Sequence, residues 1–459
     1  MGLISASEKQ NAVSLTSILV LAACSGTPSA SGSLGGAAGT TGGQGGVSVG
    51  GSSASGGGGV QARKINDLVD SVAVNTHIIY YDGGYADLDA VLANLAYLGV
   101  VHVRDALISS NFYDQSLYGP WFSKLAKAGI RFNLIANGGS AGNPFNPAQA
   151  VAGAQFVAAM QSGAVEAIEG FNEINNFAVS YQSETSYTAA GAAMRALYTA
   201  VKADASLATL PVYDLTGGEF APAAVGLNTI TGHADFANQH PYPQRGDQPA
   251  QWIADGFTHY NGNPPKVITE FGYYTAPNDT TGWGGVAEDL QAKLILNGLA
   301  DALLQGISRT YIYELVDVLP NAADWGNHWG LFRSDHSPKP SATAIHNLMT
   351  VTANVNGAFA PGRLDYKVSS LPTYGNQLLY QTSDGTFILI LWNEPDKWDE
   401  SNHKQLPTSP VDVNVDLGSS YQSVRVFDPI LGTNPVATHD GKQSIVVPVD
   451  DHPVLVLVK

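Results

Sequence analysis

Apolar positions fall into two regimes along the chain. From Val72 to Ala353, short β-branched runs alternate with stretches whose apolar residues recur at helical spacing. The runs are Val72–Ile78, Val100–Ile108, Ile130–Asn137, Ala167–Glu173, Pro211–Thr216, Ala234–Tyr242, Lys266–Gly272 and Arg309–Asp317. A helical pattern follows each, clearest in "YADLDAVLANLAYLG" and "AEDLQAKLILNGLADALLQG". Strands alternating with helices imply parallel crossovers. Eight such units predict a closed (β/α)8 barrel rather than an open doubly wound sheet. No Gly-x-Gly-x-x-Gly follows the first run, which argues against a dinucleotide fold.

Beyond about Pro361 the helical spacing stops. "FILILWN", "VDVNVDLG", "QSVRVFD", "QSIVVPV" and "PVLVLVK" recur between turn residues. That pattern predicts an antiparallel β-sandwich. The fold class expected is α/β, a TIM barrel over 63–358 with a C-terminal β-sandwich over 359–459.

The first sixty residues belong to neither regime. Residues 25–62 are mostly Gly, Ser, Ala and Thr, a composition that cannot bury a core and reads as a flexible linker. Residues 1–24 end in "SILVLAAC", an apolar stretch too short to span a bilayer. It resembles a lipoprotein-type signal peptide, with Cys24 as the lipidation site. Cys24 is the chain's single cysteine, so no intramolecular disulfide is possible. The expectation is an exported protein, lipid-anchored to a bacterial cell envelope or extracellular.

The 459 residues carry 22 Lys and Arg against 39 Asp and Glu, a net charge of −17. Such a balance argues against nucleic acid as a partner. Membrane contact is expected only through the lipid anchor, and the body is expected to be a monomer.

In a barrel of this kind, chemistry gathers at the C-terminal strand ends. The polar residues there are Asn75 and His77, Arg104 and Asp105, Asn137, Asn172 and Glu173, His240 and Tyr242, Glu270, then Glu314 and Asp317. Glu173 and Glu270 each follow an apolar run directly. Two carboxylates facing a sugar can divide the work of glycosidic cleavage, one attacking carbon and the other moving protons. Asn172 and Glu173 are neighbours, so both reach one ligand only if the backbone bends there. No His, Asp and Glu cluster has metal-ligand spacing, so neither a metal nor another cofactor is expected.

These residues resemble clan A of the retaining glycoside hydrolases, around families 5, 30 and 39. "GFNEINN" matches the Asn-Glu that ends strand four, and "VITEFGYYT" matches the glutamate that ends strand seven. Arg104, the His-x-Tyr of His240 and Tyr242, and the closing segment His328–Leu348 fit as well. The resemblance implies Glu270 as nucleophile and Glu173 as acid/base. It places Asn172 on the sugar's 2-hydroxyl and Arg104 and Tyr242 beside the nucleophile. The implied function is double-displacement hydrolysis of an extracellular poly- or oligosaccharide. A surface carbohydrate-binding protein without catalysis and a transglycosylase are the alternatives. The chain departs from the clan pattern in having Ile174 after the acid glutamate and Tyr313-Glu314 on strand eight.

The remaining candidates keep more than one reading. Arg104 could pair with Asp105 or a helix end instead. His77 is a substrate ligand or a structural histidine. Glu314 is a sugar ligand, a third carboxylate or a partner of Arg104. Trp329 could stack on sugar or pack in the core, as could Trp283, Trp325, Tyr273 and Tyr274. A second Asn-Glu-Pro lookalike, Asn393-Glu394-Pro395, falls in the β-rich region with good turn chemistry. It is expected in a sandwich loop, with Trp392 in the sandwich core.

Overall fold

The computed structural model describes residues 59–80, 83–217, 226–279, 284–320, 324–353, 358–399 and 401–459. The signal-like segment, Cys24, most of the Gly/Ser-rich stretch and Trp283 lie outside the described residues, as does most of the helix expected near Ala221–Leu227.

Eight parallel strands build the barrel: β1 Val72–Asn75, β2 His102–Ala106, β3 Arg131–Ala136, β4 Val165–Phe171, β5 Val212–Tyr213, β6 Ala237–Gln239, β7 Lys266–Phe271 and β8 Ile307–Ile312. Their order is β5-β4-β3-β2-β1-β8-β7-β6. A parallel bridge between Tyr213 and Phe236 closes the ring from β5 to the approach of β6. The Asp214 N–H donates to the Phe236 carbonyl there. Ala73, Ala167, Tyr213, Val267 and Tyr311 form one buried cluster contributed by barrel strands.

Among the described residues, the helices that follow barrel strands are α1 Leu88–Leu98, α2 Gln115–Lys127, α3 Pro147–Ala158, α4 Tyr187–Ala203, α5 Pro249–Gly256, α6 Glu288–Leu304 and α7 Pro340–Val351. Side-chain caps start α1 to α4. Asp87 accepts from the Asp89 and Ala90 amides, and Asn146 and Ser186 do the same for α3 and α4. Helix α6 is buried almost all round, because the barrel lies on one side and the second domain on the other. Gly298 lets it approach β7 closely: a Cβ there would sit 2.1 Å from the Phe271 ring.

The C-terminal strands are β9 Lys367–Ser369, β10 Gly375–Gln381, β11 Phe387–Asn393, β12 Val411–Asp416, β13 Val424–Phe427, β14 Ser444–Val449 and β15 Val454–Val458. One sheet contains β10-β11-β15-β13 in order, flanked by short strands; the other is β9-β12-β14. Leu379, Leu389 and Leu391 point into the space between these sheets. Leu378, Tyr380, Ile388, Ile390 and Trp392, the alternate positions, belong to the core shared with the barrel.

Two outcomes differ from the expected division. The chain joins the sandwich before it enters the barrel: Val60–Gln61 pairs with Arg363–Leu364, and Arg63–Lys64 pairs in parallel with β10. Trp392 faces α6 rather than the sandwich interior. Its strand is buried on both sides, so the apolar run carries no alternation that could assign the face.

Candidate active site

Arg104 organises the barrel mouth. Strand alternation on β2 turns its side chain inward, where it is 5% exposed. All five of its N–H groups are engaged. Nε and Nη2 donate to Glu169 at 2.9 Å each, a bidentate pair. Nη1 donates to Asn75 Oδ1 at 3.0 Å and to Glu270 Oε1 at 2.5 Å. Nη2 also donates to Asn172 Oδ1 at 2.8 Å. Burial alone would lower its pKa, but the Glu169 and Glu270 carboxylates outweigh this and hold it above its usual value.

Asp105 turns the opposite way and is not the partner of Arg104. It accepts from Thr76 Oγ1 at 2.6 Å and Ile78 N at 2.9 Å, tying down the tip of β1. Burial pushes it up to about 7 against those donors.

Glu270 ends β7 with both oxygens held. Oε1 takes the Arg104 bond, and Oε2 accepts from the Tyr242 hydroxyl at 2.6 Å. Glu173 stands across from it. The bend needed after Asn172 is present: Glu173 has φ +36°, a left-handed backbone uncommon for a residue with a side chain. Its amide donates to Thr216 Oγ1 at 3.0 Å, which fixes the bend. Its Oε2 accepts from Asn176 Nδ2 at 2.9 Å.

His240 lies between the two glutamates. Its Nδ1 is 3.1 Å from Glu173 Oε1 and 3.6 Å from Glu270 Oε2. Its Nε2 is 2.9 Å from Thr269 Oγ1, which in turn sits 2.9 Å from Glu169 Oε1 and from Asn238 Oδ1. Glu169 and Asn238 Oδ1 are acceptors only, so the single Thr269 proton goes to one of them. The Thr269 oxygen therefore accepts from His240 Nε2–H. That network assigns the tautomer and leaves Nδ1 facing Glu173.

One ligand atom from each of Glu173, His240 and Glu270 lies within 4.8 Å of the other two, a grouping able to hold a metal ion. The donors already on Glu270 speak against that use. A metal cation there would sit beside the Arg104 guanidinium, displacing or opposing a charge already paired to the carboxylate.

A cavity of about 490 Å³ opens beside Glu270. Asn172, Asn137, Tyr80, Tyr113 and Tyr313 line it, with Ile135, Ala136, Phe171 and Val179 as an apolar wall. His77 lines it too, stacked on Tyr80 with ring centres 4.6 Å apart. Its Nε2 is 3.4 Å from Glu314 Oε2, but this is no ion pair. Burial pushes His77 down to about 4. Burial, with Asp317 nearby, holds Glu314 well above the usual carboxylate range. Burial thus favours the neutral form of both. Glu314 is fully buried, bonded to the Tyr85 hydroxyl at 3.1 Å, and is not a partner of Arg104.

Trp329 is 2% exposed and packs on the Tyr242 ring at 5.0 Å, within a cluster that includes Tyr274 and Tyr313. It does not line the cavity. Its place is behind Tyr242, supporting the residue that touches Glu270. Glu394, the lookalike, lies as expected in the loop that follows β11, and there it is fully buried beside Trp392.

Sequence reasoning missed Glu169, Thr269, Asn176 and Thr216. Glu169 had a signal. A charge inside the apolar run "AIEGF" must face an opposite charge if the strand is buried. Asn176 had none, since its reach to Glu173 depends on the loop bend.

No protein-family profile and no curated relative matches this sequence. Solved structures do. A family 39 glycoside hydrolase from Bacteroides cellulosilyticus superposes with TM-score 0.60 at 14% identity, covering 86% of this chain and 82% of that one. A monomeric beta-xylosidase from Caulobacter crescentus gives 0.57 at 14%, covering 88% and 98%. A family 51 arabinofuranosidase from Xanthomonas axonopodis pv. citri gives 0.55 at 12%, also covering 88% and 98%. At such identities the likeness establishes the fold: a (β/α)8 barrel carrying a C-terminal β-sandwich.

Proposed function

We propose that the protein is a retaining glycosidase with Glu270 as nucleophile and Glu173 as acid/base. The observation that carries this is the pairing of the two carboxylates at the barrel mouth, an oxygen of Glu173 lying within 4.8 Å of an oxygen of Glu270, with Glu270 on the cavity wall. Retaining cleavage works at a carboxyl separation of about 5–5.5 Å, whereas inversion needs about 6.5–9.5 Å to admit water. The unequal surroundings support the division of roles. Glu270 receives a guanidinium and a phenol, donors that hold an anionic nucleophile in line. Glu173 is met by His240 Nδ1, so one proton lies between that nitrogen and Oε1.

In the first step Glu270 attacks the anomeric carbon while the Glu173 proton passes to the leaving oxygen. A covalent glycosyl ester forms and the aglycone departs. Glu173 then takes a proton from water, which displaces Glu270 from the sugar. Asn172 gives its Oδ1 to Arg104, leaving its NH2 to donate to a sugar hydroxyl near the reacting carbon. The structurally similar chains are named as glycoside hydrolases, which fits this reading.

Export and lipid attachment at Cys24 remain part of the proposal. The Leu-Ala-Ala-Cys ending and the Gly/Ser-rich stretch after it support them. Such an anchor would hold the enzyme at a surface where it meets extracellular glycans.

Chemical rescue tests the roles. With an aryl glycoside bearing a good leaving group, azide should restore turnover to Glu173→Ala and yield a glycosyl azide of retained configuration. Full activity in Glu173→Ala without azide overturns the assignment.

A further inference from the structure

Resting on that reading, we infer that the sugar seated against Glu270 is uncharged, and that the cavity turns away glycosides whose ring carries a carboxylate. A buried arginine at the mouth of a glycan site invites the opposite idea, that it receives a uronate. The hydrogen bonds rule this out. Arg104 spends its five N–H groups on Glu169, Glu270, Asn75 and Asn172. Its charge is matched by two carboxylates already present, Glu169 and Glu270.

Nothing else in the lining replaces it. Among the described residues around the cavity, Arg104 is the single Lys or Arg. The barrel-region segments outside the described residues, 81–82, 218–225, 280–283, 321–323 and 354–357, contain no Lys or Arg, although they contain Asp82 and Glu219. His77 could in principle supply a cation, but it titrates near 4 and is neutral wherever a sugar acid is ionised at ordinary pH.

An incoming carboxylate would therefore lose its water against Glu270 and an apolar wall, with no free donor of opposite charge. A neutral ring meets what the lining offers: amides at Asn137, Asn172 and Asn176, phenols at Tyr80 and Tyr113, and carbon surface at Ile135 and Phe171. The net charge of −17 acts in the same direction at longer range.

Matched glycosides test this. The full chain would be assayed with 4-nitrophenyl α- and β-glycosides in pairs differing only at the carboxyl carbon: glucoside and glucuronide, galactoside and galacturonide, idoside and iduronide. Glu173→Gln would be titrated calorimetrically with neutral and uronate-bearing oligosaccharides, which reads binding without turnover. The neutral member of a pair should win by roughly 100-fold or more in kcat/KM and in affinity. A uronide cut or bound as well as its neutral partner overturns the inference, and so does failure of every neutral sugar to bind. Neutral sugars that bind with no turnover of any glycoside would sink the glycosidase reading while leaving the charge preference standing.

Discussion

Asp301 on α6 and Glu394 at the end of β11 meet as two carboxyl groups inside the contact between barrel and sandwich. Trp392 Nε1 donates to both, 3.0 Å to Asp301 Oδ1 and 3.1 Å to Glu394 Oε1. Both acids are essentially without solvent exposure. The cations of this interface, Lys293, Lys397 and His452, gather on Asp451 instead. Burial first, and then the neighbouring carboxylate, holds Asp301 well above the usual carboxylate range; burial raises Glu394 too. Of the two, Asp301 is the acid whose protonated form both burial and the neighbouring carboxylate favour.

This pair sets a pH dependence of stability. A raised carboxyl pKa means the folded state binds a proton that the unfolded chain releases above about pH 4. The stabilisation is full below that pH and is lost as pH rises through the folded value. Asp301→Asn mimics the protonated acid and should flatten the decline. Its melting temperature should match the parent at pH 4 and below and exceed it by roughly 2–4 °C above pH 8. Thermal scans across pH check this; an offset equal at all pH values would indicate a packing effect only. Glu394→Gln should retain turnover, since the partner of Glu394 is Trp392 at the contact with α6, not Glu173 or Glu270.

Glu169 should behave as a positioning residue. Its two oxygens hold Arg104, and Thr269 and Asn133 bond to it as well. Glu169→Gln brings an NH2 against the guanidinium and leaves a buried cation short of one partner. A loss of about 3–5 kcal/mol in stability is expected. The kcat should fall at least about tenfold while KM for a neutral substrate moves less, because Arg104 no longer holds Glu270. Denaturant melts and steady-state kinetics read the two effects, and unchanged values in both would remove Glu169 from the account.

Tyr242→Phe isolates one hydrogen bond. The ring stays packed on Trp329, and only the 2.6 Å bond to Glu270 Oε2 is lost. A fall in kcat of roughly 10- to 100-fold is expected with a small change in melting temperature. A large stability loss with normal kcat would assign Tyr242 to packing instead.

The barrel was legible because its strands and helices keep their separate periods over eight units. The strand tips then ranked Glu173 and Glu270 above the more conspicuous "NEP". What stayed hidden depends on long-range or two-sided contacts. The parallel pairing of Arg63–Lys64 with β10 joins segments more than 300 residues apart, and the Gly-rich stretch before it gave no strand signal. Trp392 could not be assigned a face in a strand buried on both sides. The claim on Glu314 by Tyr85 and His77 depends on how the β1 loop folds over β8. The partners of Arg104 were narrowed by strand alternation, but Glu169 was overlooked because it sits inside the strand rather than at its tip.

The stereochemistry of the first product tests the central claim most directly. Proton NMR of the anomeric signal, recorded within minutes of adding enzyme to a neutral aryl glycoside that it cleaves, shows the sugar before it mutarotates. The double displacement proposed for Glu173 and Glu270 predicts that the released sugar keeps the anomeric configuration of the substrate. Release of the opposite anomer would contradict the double displacement and the roles given to both residues.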